Sequence, residues 1–99
     1  MNMQALMKQA QGLQKDMTKA KEEIDKTEFI GENALVKVKT NGAKEVLSIE
    51  IDKVNPLEIE DIEMLEDMII IAINNAFKQV DKMTEEKMGK FSQGMPGLF

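Results

Sequence analysis

Cysteine, histidine, tyrosine, tryptophan and arginine are all absent from this sequence. Without cysteine there is no disulfide framework and no thiolate metal site. Without histidine or cysteine, and with Ser48 and Ser92 as the only serines, a nucleophilic triad of the usual type cannot be assembled. General acid–base chemistry would fall on carboxylates and lysines alone. These absences argue against an enzyme. Long apolar runs are also missing. The longest, MIIIAI from Met68 to Ile73, is far below the roughly 18 residues of a membrane span. The N-terminal segment is amphipathic and lacks the continuous apolar stretch of a signal peptide. A cytoplasmic location, with no membrane partner, is expected.

What is present fits one folded domain. The 99 residues are 42% hydrophobic and 31% charged, outside the range of disordered chains. A chain this short buries a modest core, so association is a plausible further source of stability. The net charge is −5, and all 13 basic residues are lysine. An acidic total disfavours a nucleic-acid partner, which makes the distribution of charge more informative than its sum.

Periodicity divides the chain. Met3, Leu6, Ala10, Leu13, Met17, Ala20 and Ile24 follow alternating steps of three and four, the seam of an amphipathic helix over residues 2–26, about 37 Å long. The pattern then switches to period two. Phe29 and Ile30 suggest a short first strand. Leu35 to Thr40 forms a second, with Val36 and Val38 opposite Lys37 and Lys39. Val46 to Ile51 forms a third, with Leu47, Ile49 and Ile51 on one face. Asn41-Gly42 predicts a two-residue turn of type I′. Asn55-Pro56 ends the sheet, Asn55 and Glu58 suit a helix cap, and a second long helix is expected over 60–91. The domain therefore spans 1–91, and residues 92–99, with two glycines and a proline, form a mobile tail. The fold class is α+β: α-β-β-β-α, two long helices flanking a three-stranded antiparallel sheet.

MIIIAI is apolar almost all the way round, and such a helix is buried on several sides. One small sheet is too little to surround it. A two-fold homodimer would cover it and shelter the sheet edges, with Met68, Ile69, Ile70, Ile71 and Ile73 as the dimer core.

Charge is segregated. Lys8, Lys15, Lys19 and Lys26 share the side of the first helix opposite its seam. Lys78, Lys82, Lys87 and Lys90 lie toward the end of the second. Its beginning carries Glu58, Glu60, Asp61, Glu63, Glu66 and Asp67. Charge alone favours a plain reading, since lysines near a helix C-terminus complement its dipole and interspersed acids weaken a basic patch.

The motifs LMKQAQGLQKDM, GENALVKVKTNGAKEVLSIEID, EMLEDMIIIAINNAF and GMPGLF together resemble the YbaB/EbfC family of small bacterial nucleoid-associated proteins. The likeness covers nearly the whole chain in order, although the glycine-rich link that often precedes the Leu-Val-Lys-Val strand is shortened here to Glu32-Asn33-Ala34. It implies a homodimer with helices projecting like tweezers. It also implies double-stranded DNA as partner, broad sequence preference, and a role in nucleoid organisation and gene regulation. No catalysis, cofactor, metal or small-molecule substrate is implied. Carried onto this sequence, DNA contact by the projecting helices falls on Lys8, Lys15, Lys19, Lys82, Lys87 and Lys90.

Two other classes compete. A prefoldin-like chaperone would hold clients with apolar tips such as Met3, Met7, Met95, Leu98 and Phe99. An interaction scaffold would recruit a basic protein through the acids from Glu58 to Asp67. That acidic cluster lacks the glycine-turned loop of an EF-hand.

Overall fold

The structure is a computed structural model that describes residues 2–53 and 57–94, with side chains through Phe91. Its elements run in the order α1 (Met3–Lys26), β1 (Glu28–Asn33), β2 (Val36–Asn41), β3 (Val46–Ile51), a single 3₁₀ turn (Ile59–Asp61) and α2 (Ile62–Gly94). This is the α-β-β-β-α order expected from periodicity. The molecule is long: 72 × 20 × 14 Å, with a radius of gyration of 19.7 Å, where a compact chain of this length would have about 13 Å.

Asn2 begins α1. Its Oδ1 accepts from the backbone N–H groups of Gln4 (3.1 Å) and Ala5 (3.4 Å), a cap of about 1 kcal/mol. Thr27 ends the helix: its hydroxyl donates to Glu23 O at 2.6 Å, and its backbone turns extended.

The sheet is antiparallel with strand order β1-β2-β3. β1 is longer than expected and runs over six residues, because Glu32 and Asn33 continue to pair with Lys37 and Val36. The turn into β2 is therefore Ala34-Leu35 alone, with Ala34 at φ 50°. The β2–β3 turn departs from the two-residue type I′ expectation. Lys44 N donates to Asn41 O, and Asn41 N to Glu45 O, both at 3.1 Å. These bonds close a three-residue loop in which Lys44, not Gly42, adopts positive φ (62°). Gly42 is required for another reason. A Cβ there would collide with Ile24 O of α1, so glycine lets the turn lie directly on the end of the helix. β3 also carries a bulge: Lys39 pairs with Ser48 but Thr40 with Val46, leaving Leu47 as the extra residue.

α2 lies across β1 and β2. Val36, Val38, Ala72, Ala76 and Val80 are buried between them, with Leu65, Met68, Ile69, Ile73 and Ile51 packed around. Gly31 permits this approach, since a Cβ there would lie 2.7 Å from Ala76 N and collide with Ala72 O. A second cluster joins the helices: Ile24, Met88 and Phe91 are buried, flanked by Leu13, Met17, Ala20 and Met83.

The last helix is entered through the 3₁₀ turn. Glu58 and Asp61 open it, Glu58 N donating to Asp61 Oδ2 at 2.9 Å; Asn55 and Pro56 lie outside the described residues. The helix continues beyond Phe91 to Gly94, and residues 95–99 of the expected tail also lie outside the described residues. The expectation that MIIIAI is buried on several sides is met on one side only within a single chain. Ala72 is sealed and Met68, Ile69 and Ile73 are half-buried, but Ile70 and Ile71 remain 55% and 44% exposed.

Candidate nucleic-acid interface

The helices run antiparallel where they meet, with Glu23 beside Lys87 and Ala20 beside Lys90. From that point α1 extends about 22 Å back to Lys8, while α2 extends about 10 Å on to Gly94. α1 therefore reaches past the described end of α2 and forms the tip of an arm. Lys8, Lys15 and Lys19 stand exposed along the arm, on the side away from Leu13, Met17 and Ile24 because each is a whole number of turns from the next. Gln11, Thr18 and Glu22 are exposed beside them on this side.

Lys87 donates to Glu23 Oε2 at 2.9 Å. That hydrogen bond, reinforced by the charge of Lys87, holds the Glu23 carboxyl below its ordinary value. Burial opposes the effect, and the charges of Lys19 and Lys90 add to it. Lys19, Lys87 and Lys90 are thus gathered around one carboxylate where the helices pack, with Glu86 beside Lys87 and Lys90. Lys90 also sits 5.1 Å from the Phe91 ring centroid. Lys82 is exposed but about 140° around α2 from Lys87, on a different side from the cluster. Five of the six lysines singled out from the sequence therefore lie along the arm or at its root, and Lys82 stands apart.

Glu23 was not among the residues singled out. It lies 64 residues from Lys87, and nothing in the local pattern of either helix marks the pair. The acids Glu58, Glu60, Glu63, Glu66 and Asp67 are exposed at the far end of α2, separated from the lysine arm by the length of the sheet. Among the described residues no group of His, Cys, Asp or Glu is arranged to hold a metal, and no helix is long and apolar enough to cross a membrane.

Exposed lysines along a projecting helix form a surface suited to phosphates. Comparison with known proteins agrees. The sequence model of the YbaB/EbfC DNA-binding family matches residues 1–95. The chain belongs to this family. It is 47% identical over 98 residues to a nucleoid-associated protein of Lactococcus lactis, covering 97% of this chain and 98% of the relative. It is 45% identical over 101 residues to one of Enterococcus faecalis, covering 98% and 94%. The crystal structure of an uncharacterized Helicobacter pylori protein shares the fold, with a TM-score of 0.68 at 24% identity over 98% of this chain and 99% of that one.

Proposed function

We propose that the chain is a non-catalytic nucleoid protein that binds double-stranded DNA as a homodimer, with broad sequence preference. In this reading it bends or bridges the duplex, contributes to nucleoid organisation and affects the genes it covers. The observation that carries this reading is the stripe of exposed lysines along the projecting arm, away from the acids at the opposite end of α2. Phosphates would be met by Lys8, Lys15 and Lys19 along α1, joined at its root by Lys90 and by Lys87 once it leaves Glu23. Each ammonium that replaces a condensed counterion adds to the salt dependence of binding. Lysine is a point charge without the fork that reads guanine bidentately, which supports broad recognition.

The homodimer is supported by apolar surface that one chain leaves open. Ile62, Ile70 and Ile71 of α2 and Ile49 of β3 are all exposed, next to half-buried Ile69, Ile73 and Ile51. Large apolar side chains left exposed in this number mark an interface.

The test is a mobility-shift titration across salt. Wild type should show affinity falling linearly with salt on a log–log plot. Replacing Lys8, Lys15 and Lys19 with Glu should lower the slope by about 0.9 for each phosphate that is no longer neutralised and weaken binding at least roughly tenfold. Binding insensitive to salt, or an unchanged slope in the folded triple variant, rules the reading out. Met3 and Met7, 69% and 59% exposed at the arm tip, favour a chaperone as second reading. Suppression of client aggregation without DNA binding would establish it.

A further inference from the structure

Methionine is the one readily oxidised side chain in this sequence. It occurs 9 times, in a chain without cysteine, tryptophan, tyrosine or histidine. A mild oxidant therefore meets thioethers and no other ready target.

Their placement is uneven. Among the described methionines, Met3, Met7, Met17, Met83 and Met88 belong to the arm, and Met64 and Met68 to the first half of α2. The sealed group of the body, Val36, Val38, Ala72, Ala76 and Val80, contains none. The arm is built on them: Met88 is buried with Ile24 and Phe91, and Met17 and Met83 are half-buried against that pair of helices.

The two regions also differ in how firmly they are closed. In the body, α2 touches the sheet backbone to backbone at Gly31. Its side chains also bind the β1 edge, Gln79 Nε2 donating to Ile30 O at 2.7 Å and Asn75 Nδ2 to Glu32 O at 3.3 Å. In the arm, α1 and α2 meet through one layer of side chains and the partly exposed Lys87–Glu23 pair. A seam of this kind opens locally at lower free energy than a core. Met17 and Met83 are thus within reach of a small oxidant, whereas Met68, also half-buried, is held in the body.

We infer that Met17, Met83 and Met88 form a site of reversible oxidative modification, whose reagent is a small hydroperoxide such as hydrogen peroxide. The thioether sulfur attacks one peroxide oxygen. The O–O bond breaks as the sulfur–oxygen bond forms, and the proton of the transferred oxygen passes to the departing one, which leaves as water. Sulfur loses two electrons and the peroxide gains them. Reversal uses two thiols, which become a disulfide while the oxygen departs as water, the reaction of a methionine sulfoxide reductase.

The consequence follows from the surroundings. Leu13, Ala20, Ile24 and Phe91 pack around these sulfurs and have no side-chain donor to offer a sulfoxide. The new oxygen is either buried without a partner or drawn out to water, and in both cases the seam is weakened. Met3, Met7 and Met64 are exposed and react sooner, but a polar group there displaces no packing. Met88 follows Met17 and Met83, because it is uncovered only when the helices part. The closed arm is also what brings Lys19 of α1 beside Lys87 and Lys90 of α2. Parting the helices disperses those charges and weakens the hold on phosphates, a consequence that rests on the DNA-binding reading.

The test treats the full chain with graded hydrogen peroxide and reads each methionine by peptide mass spectrometry. Met3, Met7 and Met64 should oxidise first, then Met17 and Met83, then Met88, with Met68 last. Once the seam is oxidised, amide exchange across residues 13–24 should quicken at least roughly tenfold while β1 and β2 stay unchanged. The melting temperature should fall by about 5 °C or more, and DNA affinity at least roughly threefold. A sulfoxide reductase with dithiothreitol should restore all three. The variant Met17→Leu, Met83→Leu, Met88→Leu conserves volume and keeps Met3, Met7 and Met64, so it should resist the same treatment. A variant that loosens like wild type traces the effect to the exposed methionines and overturns the site. So does Met68 reacting ahead of Met17 and Met83, or a seam whose sulfoxides leave exchange unchanged; both are read in wild type and stand even where the leucine variant fails to fold. A loosened arm with unchanged DNA affinity overturns the functional consequence. Absence of DNA binding before oxidation overturns the DNA reading and leaves the oxidation site standing.

Discussion

In the body of the molecule, where the sheet lies on the first half of α2, Val36, Val38, Ala72, Ala76 and Val80 are sealed from solvent and two backbones touch across Gly31. In the arm, where α1 runs against the last turns of α2, a single seam does the packing, and Ile24 is the one buried residue α1 contributes. Toward its tip the same seam carries on through Met3, Leu6 and Met7 with nothing described against it. The body therefore gains its order from tight three-element packing, whereas the arm gains it from one layer of side chains. That leaves most of α1 as surface, with its lysines presented clear of the acidic end of α2. A binding surface drawn from the weakly packed end of a fold is what local stability leads one to expect.

The contrast breaks most severely at Gly31. Gly31→Val would drive a branched side chain into the backbone of α2 at Ala72 and Ala76, which neither rotamer change nor a small shift of a flexible neighbour relieves. Overpacking against backbone should cost about 3 kcal/mol or more, lowering the melting temperature by about 15 °C or more in a chain of this size. Melting followed by circular dichroism checks it, and a variant as stable as wild type would show that sheet and helix are not so closely packed.

A smaller loss should come from the arm. Met88→Ala removes a buried side chain from the seam formed with Ile24 and Phe91. The cost should be about 2 kcal/mol, the low end for such truncations, because a single layer can partly collapse. The consequence should be local: amide exchange should quicken across residues 13–24 and stay unchanged in β1 and β2. Equal quickening in the sheet would mean that arm and body open as one unit.

Much of this architecture is legible in the sequence because it is written in local periods. The seam from Met3 to Ile24, the alternation of Val36 and Val38, and the run from Ile62 to Met83 each name an element and a face. Lysine placement follows from the same periods, which is why Lys8, Lys15 and Lys19 lie on one stripe. What could not be read depends on partners distant in sequence. Asn41-Gly42 marks a turn correctly, but the glycine answers to Ile24 rather than to the turn's own dihedrals, and the positive φ passes to Lys44. Asn75 and Gln79 look like polar punctuation in an apolar helix; only the sheet edge beside them gives them work. β3 reads as a strand with an apolar face, yet its Ile49 is left open because α2 lies over β1 and β2 instead.

The smallest expected effect is the most discriminating for the arm. Glu23 joins its two helices through Lys87 and also sits among Lys19, Lys87 and Lys90, so it acts on packing and on surface charge with opposite signs. The Lys87 hydrogen bond lowers its folded pKa. Its contribution to stability is therefore present above the carboxylate's unfolded value and is lost as pH falls through the depressed folded value. Both side chains are partly exposed, at 54% and 38%, so the contribution is that of a solvent-screened pair and small. Glu23→Gln should unfold slightly earlier than wild type at neutral pH, and the two melting curves should converge as the solution is acidified through the carboxylate range. The same substitution releases Lys87 and removes the carboxylate around which the three lysines gather. DNA affinity at low salt should therefore rise while stability falls. If affinity falls with stability instead, the pair serves to hold Lys87 in position against the phosphates, and the arm is a shaped surface rather than a flexible row of charges.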